Sequence, residues 1–325
     1  MNLGGPDSLG AVRPFLFNLF SDREIIRLGP SFMQKPLAYL ISSLRHRKTE
    51  GYYQLIGGKS PILEITTAQA RALEDGLNDP RSATHEPVKV YIGMRYWRPL
   101  IEDVVPLIHQ EGVRRLIVLG LYPHYSVATT GSSLSKLNRV IAGLPIEIFP
   151  ISSWFDHPLY IDSLVERIQR GIRSFTRHPG PGTVDREQKV HVLFSAHSLP
   201  RKFIDEGDPY VDQIKATIRK VTEKIDITWD LAYQSKSGPV EWLEPSTENM
   251  IEELAKKGVR NLLAVPISFV SDHIETLYEI DILYKSMAAA LGIRLERAES
   301  LNTSPMFIAA LGDIVKKGVK EAGWS

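Results

Sequence analysis

Short apolar runs alternate with longer amphipathic stretches along this chain, and the alternation predicts strands and helices in turn. In the first half, strands are predicted at residues 88–93, 115–119 and 146–149, with a helix at 100–110 between the first two. The second half repeats the scheme, with strands at 189–194, 227–232, 261–265 and 293–296 and helices at 209–224, 247–257 and 274–291. Such alternation is typical of parallel sheets covered by helices on both faces.

A similarity between the two halves sharpens this prediction. Residues 112–119, GVRRLIVL, are similar to residues 258–265, GVRNLLAV, and each segment runs into a loop with polar side chains, at 122–126 and 268–275. We therefore expect two similar Rossmann-like α/β domains that present their functional loops at the carboxyl ends of strands. A Gly-Val-Arg at a helix-to-strand junction can also arise without duplication.

The domain boundary is predicted near 152–158, where the alternation is interrupted. This gives a first domain at 1–152 and a second at 153–302. The amphipathic stretch at 305–322 predicts a C-terminal helix within 303–325 that packs back on the first domain.

Composition narrows the classes of function. The 325 residues include 43% apolar side chains, enough for two cores, and 39 basic against 38 acidic residues, which argues against a nucleic-acid partner. There is no cysteine, which excludes disulfides, thiolate metal sites and an iron–sulfur cluster held by this chain. No apolar run reaches the roughly 20 residues of a membrane span, and no secretory signal opens the sequence, so we expect a cytoplasmic protein.

Residues 194–200, FSAHSLP, place His197 at the end of a predicted buried strand. An imidazole at that position can bind a metal ion or accept a proton near neutral pH. A histidine at the start of a helix, with its hydrogen bonds satisfied locally, would fit the same segment.

Residues 271–281, SDHIETLYEID, carry Asp272, Glu275 and Glu279 at helical spacing. On an α-helix these three carboxylates form one stripe, and like charges in a stripe need a cation, a proton or solvent. The pattern favours a site that binds a cation, although a solvated acidic helix face would look the same. The zincin, α/β-hydrolase and dinucleotide-binding motifs are missing from the sequence.

Residues 30–48 pair an apolar body with a basic end, RHRK. The segment is predicted to form a lip over an apolar ligand or to make peripheral contact with an anionic membrane surface. An ordinary core helix is the alternative.

At these residues the sequence resembles the ferrochelatase family. His197 and Glu275 lie in segments similar to its two signature motifs, 194–200 and 271–281. Further segments match in the same order: 1–6, 13–20, 56–61, 94–96, 121–126 and 233–238, the last followed by Trp242. Lys59 replaces a usual third glycine, and the chain begins inside the first strand expected for the family.

The resemblance implies a lyase that inserts ferrous iron into protoporphyrin IX and forms protohaem in haem biosynthesis. It implies two four-stranded parallel sheets, with iron as a substrate and no required cofactor. His197 and Glu275 correspond to the catalytic pair and contact the metal, and Asp272, His273 and Glu279 are further metal-ligand candidates. The residues that correspond to porphyrin-binding positions are Arg45, Tyr53, Ser60, Arg95, Tyr96, Tyr125 and Trp242.

Three other functions fit parts of the pattern. A ferrochelatase that acts on coproporphyrin shares the motifs, although residues 233–238 look more like the protoporphyrin branch. A cobalt or nickel chelatase of a related tetrapyrrole shares the architecture but usually relies on several histidines. A non-enzymatic haem carrier would have no use for an acidic stripe. The sequence carries no signal for an oligomeric state.

Overall fold

The structure is a computed structural model and describes residues 1–80, 87–177, 189–238 and 240–324. The chain divides into two compact units, Met1–Trp154 with Asn302–Ser325, and Phe155–Leu301. The sequence predicts these divisions after residues 152 and 302.

Both units combine parallel strands with helices, which confirms the predicted α/β class. The strands are β1 Arg115–Leu119, β2 Glu147–Ile151, β3 His191–His197, β4 Thr228–Gln234, β5 Asn261–Pro266 and β6 Arg294–Arg297. The helices are α1 Val12–Ser21, α2 Gln34–Leu55, α3 Ile62–Leu77, α4 Ile101–Gln110, α5 Ser132–Ile141, α6 Pro158–Arg177, α7 Arg201–Asp205, α8 Tyr210–Thr222, α9 Thr247–Lys256, α10 Lys285–Ala290 and α11 Pro305–Glu321. Two π-helical segments, Val127–Gly131 and Glu275–Tyr284, precede α5 and α10 directly.

The second unit contains a four-stranded parallel sheet in the order β4-β3-β5-β6. Its two inner strands, β3 and β5, are buried almost throughout, since each lies between two neighbouring strands. In the register of β3 and β4, His197 lies beside Gln234, so both strands end at the same edge. That edge is where a parallel sheet presents its ligand-binding loops.

In the first unit, β1 and β2 form a two-stranded parallel sheet among the described residues. The resemblance implies a sheet of four strands in this unit. At the positions of the further strands, the described residues form single bridges, which join Asn2 to Met94 and Met94 to Leu100. The helix α11 packs on α3, β1 and β2.

The predicted strand at 88–93 is wrong. Two side chains, one in the last turn of α3 and one directly after it, bind its backbone groups. Asn78, which follows α3, accepts from the Val88 N–H at 2.8 Å and donates to the Val88 carbonyl at 2.7 Å. Glu74 accepts from the Val90 N–H at 2.6 Å. Backbone groups satisfied by side chains in this way are not available to a strand ladder.

Gly5 allows the start of the chain to lie against Ser60. A Cβ at residue 5 would lie 2.6 Å from the Ser60 Oγ and 2.7 Å from its Cβ, and the Ser60 N–H donates to the Pro6 carbonyl at 2.8 Å. We expect Gly5→Ala to lower the free energy of unfolding by about 1–3 kcal/mol through overpacking, measured by urea unfolding. Gly10→Ala is the control, because its added Cβ meets open space; equal unfolding midpoints for the two variants would contradict the prediction.

Candidate functional site

The backbone on either side of the His197 side chain is held in place by two polar side chains of the second unit. Its N–H donates to the Ser268 Oγ at 2.9 Å, and its carbonyl accepts from the Tyr210 hydroxyl at 3.0 Å. The imidazole lies edge-on to Phe269, with ring centroids 6.2 Å apart. The imidazole is therefore fixed at the carboxyl edge of the sheet, with 34% of its side chain exposed.

Glu275 contacts this imidazole directly. The His197 Nδ1 lies 2.8 Å from the Glu275 Oε2, and since a carboxylate only accepts, the Nδ1–H donates. Glu275 is the more buried partner, with 16% of its side chain exposed. This arrangement leaves Nε2 as the ring nitrogen that can face a substrate.

Two residues at the end of β4 connect Glu275 with Glu279. The Ser235 Oγ lies 2.8 Å from the Glu275 Oε2 and 2.6 Å from the Glu279 Oε2. The Gln234 Nε2 donates to the Glu275 carbonyl at 3.0 Å and to the Glu279 Oε2 at 3.1 Å. Ser235 adopts a φ of 66°, which is uncommon for a residue with a side chain. Its strained backbone places one hydroxyl between two carboxyl groups.

Burial and charge together set the protonation of the site. Burial lowers the pKa of His197, but the charge and hydrogen bond of Glu275 outweigh it and raise that pKa above its ordinary value. Burial raises the pKa of Glu275, but the charge and hydrogen bond of His197 prevail and lower it. The pKa of Glu279 is raised, by burial first and by the charge of Glu275 second.

The number of protons available for hydrogen bonds agrees with the directions of these pKa shifts. Ser235 has one hydroxyl proton and cannot donate to two carboxylates at once. A protonated Glu279 that donates to the Ser235 Oγ, which in turn donates to Glu275, satisfies all three groups. The site therefore holds one ionised and one neutral carboxyl group opposite a protonatable imidazole.

Asp272 does not belong to the predicted stripe. It precedes the helical segment, and its Oδ1 accepts from Arg297 at 2.9 Å and from the Ser300 hydroxyl at 2.7 Å. The predicted α-helix at 274–291 is π-helical over Glu275–Tyr284, with i→i+5 hydrogen bonds that alter the spacing of side chains. The α-helical stripe of three carboxylates is thus reduced to the pair Glu275 and Glu279.

His273, the remaining metal-ligand candidate, is buried behind the pair. Its Nδ1 lies 3.0 Å from the Ser271 carbonyl, and its Nε2 lies 4.0 Å from the Glu275 Oε1. Burial lowers the pKa of His273 and outweighs the charge of Glu275, which favours a neutral ring. Among the described residues, no three His, Asp or Glu side chains form a group that could hold a metal ion.

In the first unit, the structure brings two of the predicted porphyrin-binding residues together around Asp22. Arg95 donates to the Asp22 Oδ2 at 2.5 Å and to the Ser132 Oγ at 2.9 Å. The Tyr96 hydroxyl donates to the same Asp22 oxygen at 2.7 Å. Arg95 is therefore paired with a carboxylate of its own unit.

The other predicted porphyrin-binding residues have separate environments. Arg45 lies over the Phe20 ring at 5.6 Å, whereas Tyr53 and Ser60 are buried and Tyr125 is half-buried. Trp242 belongs to the second unit, where its indole N–H donates to the Gly238 carbonyl at 3.5 Å.

Reasoning from the sequence missed several polar partners in the site. Gln234 and Ser235 follow a predicted strand in the same way as His197, so adjacency of parallel strands could have found them. Asp22 follows the apolar run of α1 directly, which is a weak signal for a buried acid. Ser268 begins the polar loop predicted at 268–275, although nothing in the sequence singles it out there. Arg297 has no comparable signal, because only the folded chain brings it near the site.

The whole chain is similar to known ferrochelatases. Residues 1–319 match the sequence model of the Ferrochelatase family. The ferrochelatase of Geotalea uraniireducens is 51% identical, with 98% of this chain and 96% of that protein covered. The ferrochelatase of Geobacter metallireducens is also 51% identical, with 98% and 96% covered, and that of Synechocystis sp. is 45% identical, with 99% and 82% covered.

Solved structures of SirB from Bacillus subtilis share the fold. The structure with Fe3+ has a TM-score of 0.56 at 14% identity and covers 81% of this chain and 92% of its own. The structure of SirB from Bacillus subtilis subspecies spizizenii in complex with cobalt has a TM-score of 0.53 at 13% identity, with 78% and 89% covered. At these identities the likeness concerns the chelatase architecture alone.

Proposed function

Since this chain belongs to the ferrochelatase family, we propose that it inserts ferrous iron into protoporphyrin IX with His197 and Glu275 as the reacting pair. The contact of 2.8 Å between the His197 Nδ1 and the Glu275 Oε2, at the carboxyl edge of the sheet, is the observation that carries this proposal. It presents a protonatable imidazole, backed by a carboxylate, to the side where a parallel sheet binds its ligand.

Metal insertion is slow in solution because the nitrogen lone pairs of a flat porphyrin lie in the ring plane and two nitrogens carry protons. An enzyme accelerates the step when it binds the ring bent and accepts those protons. His197 takes the two pyrrole protons at Nε2 one after the other. After the first transfer, Glu275 stabilises the positive imidazolium and accepts its Nδ1 proton, which frees His197 to take the second. Ser235 and Glu279 pass protons from Glu275 away from the ring toward solvent.

Iron acts here as a substrate, and the proposed reaction requires no cofactor. An imidazole and carboxylate oxygens are suitable ligands for a ferrous ion in transit. Glu275 and Glu279 are the available oxygen donors, because Asp272 is engaged by Arg297. His273 supports Glu275 from the interior rather than forming a preassembled metal centre with it.

For the ring itself we keep the contacts that the resemblance to ferrochelatases implies. We assign the propionate and ring contacts to Arg45, Tyr53, Ser60, Arg95, Tyr96, Tyr125 and Trp242. Asp22 holds Arg95 and Tyr96 in fixed positions, which limits the entropy lost when the ring binds.

A competition assay tests the proposed substrate. Protoporphyrin and coproporphyrin are offered together without metal, and the reaction is started with ferrous iron under anaerobic conditions. We expect protohaem as the main product. Preferential metallation of coproporphyrin would identify a coproporphyrin ferrochelatase. Preference for cobalt or nickel over iron in a parallel assay would identify a different chelatase. If no new haem forms at all, the protein is a haem carrier.

We also propose that the lip at 30–48 makes peripheral contact with an anionic membrane surface. None of the helices in the described residues is long and apolar enough to cross a membrane. The lip nevertheless exposes Phe32 at 76% and Leu44 at 73%, and Lys35, Arg47 and Lys48 are exposed on the same segment. Apolar side chains flanked by basic ones are typical of a helix that lies on anionic lipid.

Co-sedimentation with vesicles checks this contact. Burial of each apolar side chain in the interface contributes roughly 1.5–3 kcal/mol at most, so Phe32→Ser with Leu44→Ser should weaken binding to phosphatidylserine vesicles by about 10-fold or more. Leu107→Ser is the control, since Leu107 is also exposed but lies on α4, outside the lip. Equal vesicle binding by all variants would contradict the proposal.

A further inference from the structure

Arg297, the last residue of β6, binds two aspartates that flank the carboxyl groups of the site. Its Nε and Nη2 donate to the two carboxylate oxygens of Asp281 at 2.9 and 2.8 Å. Its Nη1 donates to the Asp272 Oδ1 at 2.9 Å. One guanidinium therefore joins both ends of residues 272–281, which we call the anchored arc, and Glu275 and Glu279 lie between those ends.

The junction is partly shielded from water and further supported by hydroxyl groups. The Arg297 side chain is 11% exposed and that of Asp272 is 19% exposed. Ser300 and Thr276 also donate to the Asp272 Oδ1, at 2.7 and 3.2 Å. Charge pairs in such an environment are screened less than pairs on the surface, so this junction constrains the chain more than an exposed ion pair does.

The conformation of the arc needs such support. Most of it belongs to the π-helical segment Glu275–Tyr284, and π-helices are rare and usually limited to a single turn. A planar guanidinium can bind one carboxylate with two donors and a second carboxylate with a third, whereas a lysine ammonium is a point charge on a flexible stem.

We infer that Arg297 is a positioning residue, which holds Glu275 against His197 by fixing both ends of the anchored arc. The inference rests on the function proposed for that pair. It assigns to Arg297 no contact with either substrate, so its loss should affect the chemical step and the state of His197 while leaving the affinity for porphyrin unchanged.

The test compares Arg297→Gln and Arg297→Lys with the control Arg167→Gln in the full chain. Arg167 also pairs with a carboxylate of the second unit, but its partner Glu299 lies outside the arc. Displacement of a catalytic group by about 1 Å can cost about 100-fold in rate, so Arg297→Gln should lower kcat for iron insertion about 10- to 100-fold. The kcat of Arg297→Lys should be closer to that of Arg297→Gln than to that of the wild type. Arg167→Gln should insert iron at the wild-type rate.

A second measurement needs no activity. The pKa of the His197 imidazole, followed by NMR, should fall in both Arg297 variants because Glu275 is no longer held beside it. Normal kcat and an unchanged His197 pKa in Arg297→Gln would overturn the positioning role, while the proposed function would still stand if His197→Ala were inactive. Equal losses in Arg167→Gln would overturn it too, since they would indicate general destabilisation.

If circular dichroism shows a folding defect in Arg297→Gln, the same two measurements are made on Asp281→Asn. This variant removes one end of the anchored arc at a more exposed position, where 35% of the side chain is exposed. The same fall in kcat and in the His197 pKa is expected, and wild-type values for both would refute the inference.

Discussion

Replacing His197 with alanine should reduce iron insertion by about 10²- to 10⁴-fold, the usual contribution of a positioned acid–base group. The imidazole is the group at the carboxyl edge of the sheet that can accept a pyrrole proton near neutral pH. Its removal also leaves Glu275 buried without its charged partner, which further disfavours the working arrangement. Insertion is measured anaerobically by the absorbance of the metallated ring.

Affinity for porphyrin should change little in this variant, because His197 acts at the ring centre while the ring contacts are assigned elsewhere. Quenching of porphyrin fluorescence measures that affinity. His191→Ala is a matched control, since His191 begins the same strand and lies 2.9 Å from a carboxylate of Asp230, but at the opposite end of β3. Near-normal turnover in His197→Ala would refute the role proposed for this residue.

Glu275→Gln should produce the second-largest loss, roughly 100-fold in kcat, as is usual when one preorganised electrostatic group is removed. Glu279→Gln should cost less than about 10-fold, because its raised pKa keeps that carboxyl group largely protonated and an amide replaces it with little change in charge. A larger loss in Glu279→Gln than in Glu275→Gln would place the reacting centre at Glu279 instead.

The same two variants should differ in their dependence on pH. In the wild type, Glu275 raises the pKa of His197, so the neutral imidazole, which is the base, is lost as the pH falls through that raised pKa. In Glu275→Gln the charge disappears while burial remains, so the pKa of His197 falls. The acid limb of kcat/KM should therefore move to lower pH in Glu275→Gln and move less in Glu279→Gln.

The period of the apolar positions predicted most elements correctly, since it depends only on which side of each element is buried. The strand predicted at 88–93 is wrong because Glu74 of α3 and Asn78, which follows α3, take hydrogen bonds of its backbone. The predicted stripe of three carboxylates is wrong for a related reason. The spacing of Asp272, Glu275 and Glu279 assumes an α-helix, whereas the folded chain is π-helical there and turns Asp272 toward Arg297.

The sequence by itself determined the α/β class, the repeat of the scheme in two halves and the candidates His197 and Glu275, because local patterns and motifs suffice for these. Only the tertiary structure decided that these two side chains, 78 residues apart, lie within hydrogen-bonding distance. It also decided that Ser235 and Gln234 connect the two glutamates and that Asp272 binds Arg297 instead of lying beside them. The physical reason is that strand order and register place distant residues side by side, and this placement depends on the packing of the whole unit rather than on any local stretch of chain.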